Sequence, residues 1–351
     1  MNLAPVEESI EELIEVDTAN ILFASFEKND LDTTILDNSG LAYDQILLDG
    51  GKDNANPVFN FMTLKPALDY ATASDFSLII GTDSKNERIT LAVKKDEKSG
   101  FVILNSHQLA AILLNIWKES GKYEDLVCLK SIHTSDLVEY MAIKSGLKFQ
   151  SEIIEPGELR NSLTEIQKAY PNSPVCAFNI DQQVCHSVLD FSGIILEIAQ
   201  KENELKASGQ TFFDYLMGIY HEFGFYKEKT ITVDLNTDAQ RSHLLSIMDN
   251  LRKNPKSLES TFPLNSVTDY KKGVKFNILT DKLNSFAGST ENILKIESAN
   301  NLSVTFAPSK TKMVYYISIK GGFISKEKYV MRNKEMDAEI LRVIQMFNRG
   351  L

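Results

Sequence analysis

Three textures of apolar and polar spacing follow one another along the chain. In the first, short apolar runs alternate with helical spacing. Ile21–Ala24 reads as a strand, and residues 37–60, rich in Asp, Asn and Gly, read as loop with one strand at Gln45–Leu48. Leu64, Ala67, Leu68 and Ala71 recur at the interval of a helix face, which predicts a helix over 63–72. Leu78-Ile79-Ile80 predicts a buried strand, Gly81–Arg88 a polar turn, and the alternation of Ile89, Leu91 and Val93 with Thr90, Ala92 and Lys94 a second strand. In the second texture a strongly apolar helix over 107–117, with Ser106 as N-cap, precedes a strand over 126–132. Ser135-Asp136 caps a helix to Ile143, strands follow over 148–153 and 175–180, and helices over 193–206 and 212–223. This βαβ rhythm predicts a largely parallel sheet. From Lys229 onward strands alternate with only one helix over 239–251 and one near the end, punctuated by Pro255 and Pro263. That third texture reads as α+β. Val6–Ile14 is an acidic amphipathic stretch outside this pattern.

The chain's 351 residues exceed one compact core and predict two or three domains. A hydrophobic content of 43% with 24% charged residues is that of a globular protein. The net charge of −11 argues against a nucleic-acid or anionic-membrane partner. Cys128, Cys176 and Cys185 are too few and too scattered for a disulfide framework or a zinc site, and Cys128 and Cys176 lie in apolar strand-like runs, so they read as core. With no 18-residue apolar stretch and an acidic start, the expected location is the cytoplasm.

The stretch with most chemistry is the turn Asp83-Ser84-Lys85-Asn86-Glu87-Arg88, at the carboxyl end of a strand, where open α/β sheets place ligands. It resembles the Asp-x-Asp-x-Asp-Arg loop of the α-D-phosphohexomutases, the phosphoglucomutase and phosphomannomutase family, whose three aspartates hold Mg2+. Asp83 and Arg88 match, Glu87 is one methylene longer, and Lys85 replaces the second carboxylate. Lys130–Leu137 is similar to a Lys-Ser-Ile-x-Thr-Ser-Asp-Leu segment of the phosphoglucomutase and phosphopentomutase branch. Gly224–Thr230 resembles the junction before that branch's last domain, and Met248–Ser257 its fourth-domain helix and turn.

The resemblance implies two phosphohexomutase-type α/β domains, over 1–100 and 101–225, followed by a smaller α+β domain over 226–351. It also implies departures. The family's phosphoserine loop, Thr-x-Ser-His-Asn-Pro, has no counterpart in the sequence. The sugar-gripping Gly-Glu-x-Ser falls at Asn179–Gln183, where Asp181 remains to accept a sugar hydroxyl, with His133 as a second weak candidate. The substrate-orienting Gly-Phe-Lys falls near Glu155-Pro156-Gly157 without its lysine. In the phosphate loop the arginine is Ala307 and the glycine is Lys310, leaving Ser309, Lys310, Thr311 and Lys312 to hold an anion. At the metal loop an ammonium at Lys85 opposes Mg2+, which favours hard carboxylate oxygens, so no cofactor is expected. Lys85 pairs with Asp83 or Glu87 in place of the ion, or the loop is a solvated turn with local ion pairs; a residual ligand site and an intact metal site are the further alternatives. His107 reads as packing, and a Cys185–His186 nucleophile pair as unsupported. Lys227 and Lys229, flanking Glu228, read as surface or interdomain pairs. The implied protein is a non-catalytic relative acting as partner, regulator or phosphosugar binder. The alternative is a hexose-phosphate mutase completed by a separate serine-bearing domain.

Overall fold

The computed structural model describes residues 20–26, 41–49, 58–96, 99–155, 157–258, 263–299, 301–322 and 325–348. Val6–Ile14 and Pro156 lie outside them. The α/β class holds, with three separate sheets.

The first contains β1 (Asn20–Ser25), β2 (Ala42–Leu47), β3 (Leu78–Thr82), β4 (Ile89–Lys94) and β5 (Phe101–Ile103), in the order β2-β1-β3-β4-β5. β1 runs parallel to β2 and β3, while β4 and β5 are antiparallel additions. Helix α1 (Phe61–Ala73) buries Leu64, Ala67, Leu68 and Ala71 against Leu22, Ala24 and Ile79. The helical spacing in the sequence becomes one packed face.

The second sheet contains β6 (Val127–Ser131), β7 (Lys148–Glu152), β8 (Val175–Phe178) and β9 (Val184–His186), in the order β7-β6-β8-β9. β6 is parallel to both β7 and β8, and β9 folds back antiparallel. Helices α2 (Ser106–Ser120), α3 (Asp136–Lys144), α4 (Leu159–Ala169), α5 (Phe191–Ala207) and α6 (Phe212–Phe223) accompany it. α4 and β9 add to the elements expected from the sequence. The cap of α2 is Asn105 rather than Ser106: Asn105 Oδ1 accepts from Gln108 N at 2.9 Å, and Gln108 Oε1 accepts from Asn105 N at 3.1 Å. That reciprocal pair satisfies two donors that a serine one residue later would not reach together. The region read as one strand to Ile180 instead ends at Phe178, and a turn with Gln182 at φ +60° leads into β9. Cys128, Cys176 and Cys185 are all buried.

The third sheet is antiparallel throughout. Its strands are β10 (Phe225–Asp234), β11 (Leu264–Asp269), β12 (Val274–Asn277), β13 (Lys282–Ser285), β14 (Leu294–Ser298), β15 (Leu302–Pro308) and β16 (Lys312–Gly321), in the order β10-β16-β15-β14-β11-β12-β13. Helices α7 (Asp238–Lys253) and α8 (Tyr329–Asn348) complete this part. Leu244, Met248, Ile340 and Phe347 share its core with Val304, Phe306 and Tyr315.

α2 is the central helix. Every residue from Gln108 to Trp117 is buried, so it lacks a solvent face over that stretch, as expected of a helix enclosed by other elements. Its side chains belong to one apolar cluster reaching from Ile21 to Phe347, and Trp117 stacks on Phe178 at 5.8 Å. The first and second sheets also join through backbone. Arg88 bridges Gln183, Ile89 N donates to Gln182 O at 3.1 Å, and Val184 N donates to Glu87 O at 3.4 Å.

Candidate functional site

The turn after β3 closes on itself. Asp83 is only 1% exposed, and its Oδ1 accepts from Glu87 N at 2.9 Å and Arg88 N at 3.0 Å. Asn86 takes φ +55°, a left-handed conformation that asparagine tolerates better than most residues. Gly81 is required just before the turn, because a Cβ there would meet Thr90 Cγ2 at 2.6 Å. Lys85 points to solvent, and its ammonium pairs with no carboxylate of the described residues, so it does not take the ion's place. Asp83 is not part of a solvated turn either; its burial makes it an anchor for the backbone. The donor set does not fit Mg2+. Only Asp83 and Glu87 bring carboxylates to the loop, one Asp83 oxygen is held by two amides, and the residue at the second carboxylate position of the motif is Lys85.

Asp181 and His133 come together around Tyr316 on β16. The His133 ring stacks on Tyr316 at 3.9 Å, and burial pushes the Tyr316 phenol up, with Asp181 and Glu155 adding to the shift. Burial, then the nearby Lys130, lowers His133 to about 4, so its imidazole is neutral near pH 7. The space here, about 10 Å³ lined by His107, His133, Glu228, Thr305 and Ser318 among others, is too small for a sugar phosphate. Neither it nor the cleft of about 350 Å³ beside it is lined by Asp83, Asp181 or residues 309–312.

Ser309, Lys310, Thr311 and Lys312 form the tip of the β15–β16 hairpin. Ser309 N donates to Lys312 O at 2.7 Å and Lys312 N to Ser309 Oγ at 3.1 Å, so the serine hydroxyl serves its own turn. Lys310 and Lys312 extend into solvent as separate point charges.

The strongest electrostatics lie elsewhere, at the seam between the second and third sheets. Asp136, the first residue of α3, faces Lys295 at 2.7 Å, and its other oxygen accepts from Ser303. Lys130 is 1% exposed, lies 3.9 Å from Asp136 and 3.8 Å from Glu139, and donates to Thr134 O at 3.0 Å. Burial would raise the Asp136 carboxyl, but Lys295 and Lys130 outweigh it and hold it well below the usual range. Beside this network Ser135 donates to Glu228, whose acid is pushed to about 7 by burial. His107, lowered to about 4 by burial, accepts from Ser135 N at 3.1 Å through Nδ1. Of the 227–229 stretch, Glu228 is therefore the member that meets the seam, through Ser135. Lys227 and Lys229 pair with Asp337 on α8, within the third part. The sequence signal for this seam is a lysine inside an apolar strand, Lys130 in β6 and Lys295 in β14, because such a charge is rarely buried without partners.

Solved structures share this arrangement of sheets and helices. A phosphoglucomutase from Paramecium, pp63/parafusin in its open form, superposes with a TM-score of 0.55 at 11% identity over 83% of this chain and 50% of that one. A phosphoglucomutase/phosphomannomutase family protein from Burkholderia thailandensis gives 0.54 at 12% identity, over 95% and 61%. The fold is that of the phosphohexomutases. In sequence, a curated phosphoglucomutase from Staphylococcus saprophyticus is 22% identical over 268 residues, 71% of this chain. The chain spans about half the length of that relative, 46%. No protein-family model matches the chain. The phosphoglucomutase- and phosphomannomutase-like relationship thus rests on the shared fold and one distant sequence match. Among the described residues no helix is long and apolar enough to cross a membrane.

Proposed function

We propose that this phosphohexomutase-fold chain does not run the mutase reaction and works by binding, as a cytoplasmic partner or regulator of a sugar-phosphate enzyme. The observation that carries this reading is the turn after β3. Its one matching aspartate, Asp83, is buried on the turn's own amides, with Lys85 beside it. Phosphoryl transfer relies on positioning and on neutralising the charge that spreads over the transferred group. A loop with this donor set supplies little of either. Direct sugar-phosphate binding would fall to Lys310 and Lys312 at the hairpin tip with Asp181 at the sugar end, a weak and salt-sensitive contact without a guanidinium fork. The net charge of −11 supports a partner other than nucleic acid or an anionic membrane.

The test is a mutase assay with Mg2+ and glucose 1,6-bisphosphate, with no turnover expected above a heat-killed control. Calorimetry should find no submillimolar Mg2+ site; one that disappears in Asp83→Ala would defeat the reading. NMR titration with glucose 1-phosphate at low salt checks the hairpin. If the resonances of 309–312 stay still, the phosphosugar arm fails and a protein partner remains.

One observation favours the competing reading, a mutase completed by a serine-bearing domain on another chain. Leu47 at the end of β2, and Val58, Phe61 and Met62 around the start of α1, are exposed by 59–74%. Turnover that appears only on adding such a domain would establish it.

A further inference from the structure

A polar groove of about 310 Å³ separates the end of α2 from α5, far along the chain from the turn after β3. Glu119, Lys122, Glu197, Gln200, Lys201 and Glu204 form its polar walls. Two of the carboxylates are provided for. Glu119 Oε1 accepts from Asn115 at 2.9 Å, and its Oε2 accepts from Tyr215 at 2.7 Å and faces Lys201 at 3.4 Å. Glu204 pairs with Lys201 at 3.1 Å.

Glu197 differs. It is only 8% exposed, and its Oε1 accepts from the Tyr123 hydroxyl at 2.6 Å and Lys122 at 3.3 Å. Its Oε2 is buried and accepts no hydrogen bond from any described residue. A buried carboxylate oxygen without a donor is costly, and a charge-assisted donor relieves that cost about twice as well as a neutral one. Three glutamates also face two lysines across the groove, so one negative charge is left over.

We propose that this groove binds a small organic cation, whose primary ammonium donates to Glu197 Oε2. The volume lies at the lower end of small-molecule sites, which suits a short amine. Lys122, with 59% of its side chain exposed, can swing aside to admit it. Lys201 cannot, being tied to Glu119 and Glu204 and lying 5.0 Å over the Tyr215 ring. A metal ion is a poor alternative, since no group of three metal-ligating side chains forms among the described residues.

The chain's single tryptophan, Trp117, follows the groove residue Ile116 and provides a reporter. Titration with 1,4-diaminobutane at low salt should change its emission saturably, with the same affinity by calorimetry. Glu197→Gln should weaken binding at least tenfold, and Lys122→Ala should tighten it several-fold by removing the competing ammonium. Glu165→Gln, at an exposed position of α4, should leave binding unchanged and controls for general attraction to an acidic protein. A thermal melt checks that each variant folds. No saturable response, or equal affinity in Glu197→Gln and Glu165→Gln, overturns the proposal and assigns the groove to solvent. If Glu197→Gln does not fold, Lys122→Ala decides, and unchanged or weaker binding there overturns the proposal.

Discussion

The turn after β3 and the seam between the second and third sheets treat charge in opposite ways. In the turn, Asp83 satisfies amides four and five residues away, and the Lys85 side chain stays in water. At the seam, Lys130 and Lys295 are buried and held by Asp136, which lies 159 residues from Lys295 in sequence. A local turn needs only its own few bonds. A buried, long-range ion network needs all its members, because removing one leaves a desolvated charge behind. The family-like loop is thus electrostatically modest, and the demanding chemistry holds two sheets together.

Asp136→Ala should break this contrast most severely. It leaves Lys295 and Lys130 buried without their shared carboxylate, and buried pairs broken this way typically cost about 3–5 kcal/mol. Asp136 itself retains 23% of its side-chain exposure, so most of the penalty falls on the lysines. Urea denaturation measures it; a loss below about 1 kcal/mol would mean that water reaches the seam and screens it.

Glu228 gives the seam a pH signature. Its folded pKa of about 7 lies above the ordinary 4.5, so the folded state binds the proton more tightly than the unfolded chain. The associated stability is full below pH 4.5 and is lost as pH rises towards 7, by at most about 3 kcal/mol. Glu202 on α5 is also raised to about 7 by burial and titrates in the same window. Glu228→Gln should therefore flatten only part of the slope, gaining stability at pH 8 and little at pH 4.5. Equal slopes in both proteins would show that Glu228 is solvated when ionised.

Asp83→Ala should be milder. It removes one acceptor shared by two amides, and hydrogen bonds to a charged group contribute about 1.5–3 kcal/mol each at most. Because the two amides share one acceptor, a total loss of about 2–3 kcal/mol is expected, with faster hydrogen exchange at Glu87 and Arg88. Asp83→Asn keeps an acceptor and should lose less. Lys85→Ala should change stability by no more than about 0.5 kcal/mol, since the side chain is exposed. A larger loss would reveal a structural partner for Lys85 and erase the contrast between turn and seam.

Most strands and helices were legible in the sequence because their signal is local. The two-residue alternation of β4 and the helical spacing of α1 each repeat within ten residues or so. β9 was not legible, since three residues carry no period. α4 has Leu159, Leu163 and Ile166 at helical spacing, a signal masked by the strands around it. The sequence alone also placed Asp83, Lys85 and Arg88 on one turn. Tertiary structure decided what they do there. It buried Asp83, left Lys85 in solvent, and set Arg88 against Gln183, 95 positions away in the chain. The same holds for Lys130, Asp136, Lys295 and Glu228. Each is an ordinary charged residue in sequence, and its energetic weight arises only when distant segments exclude water from around it.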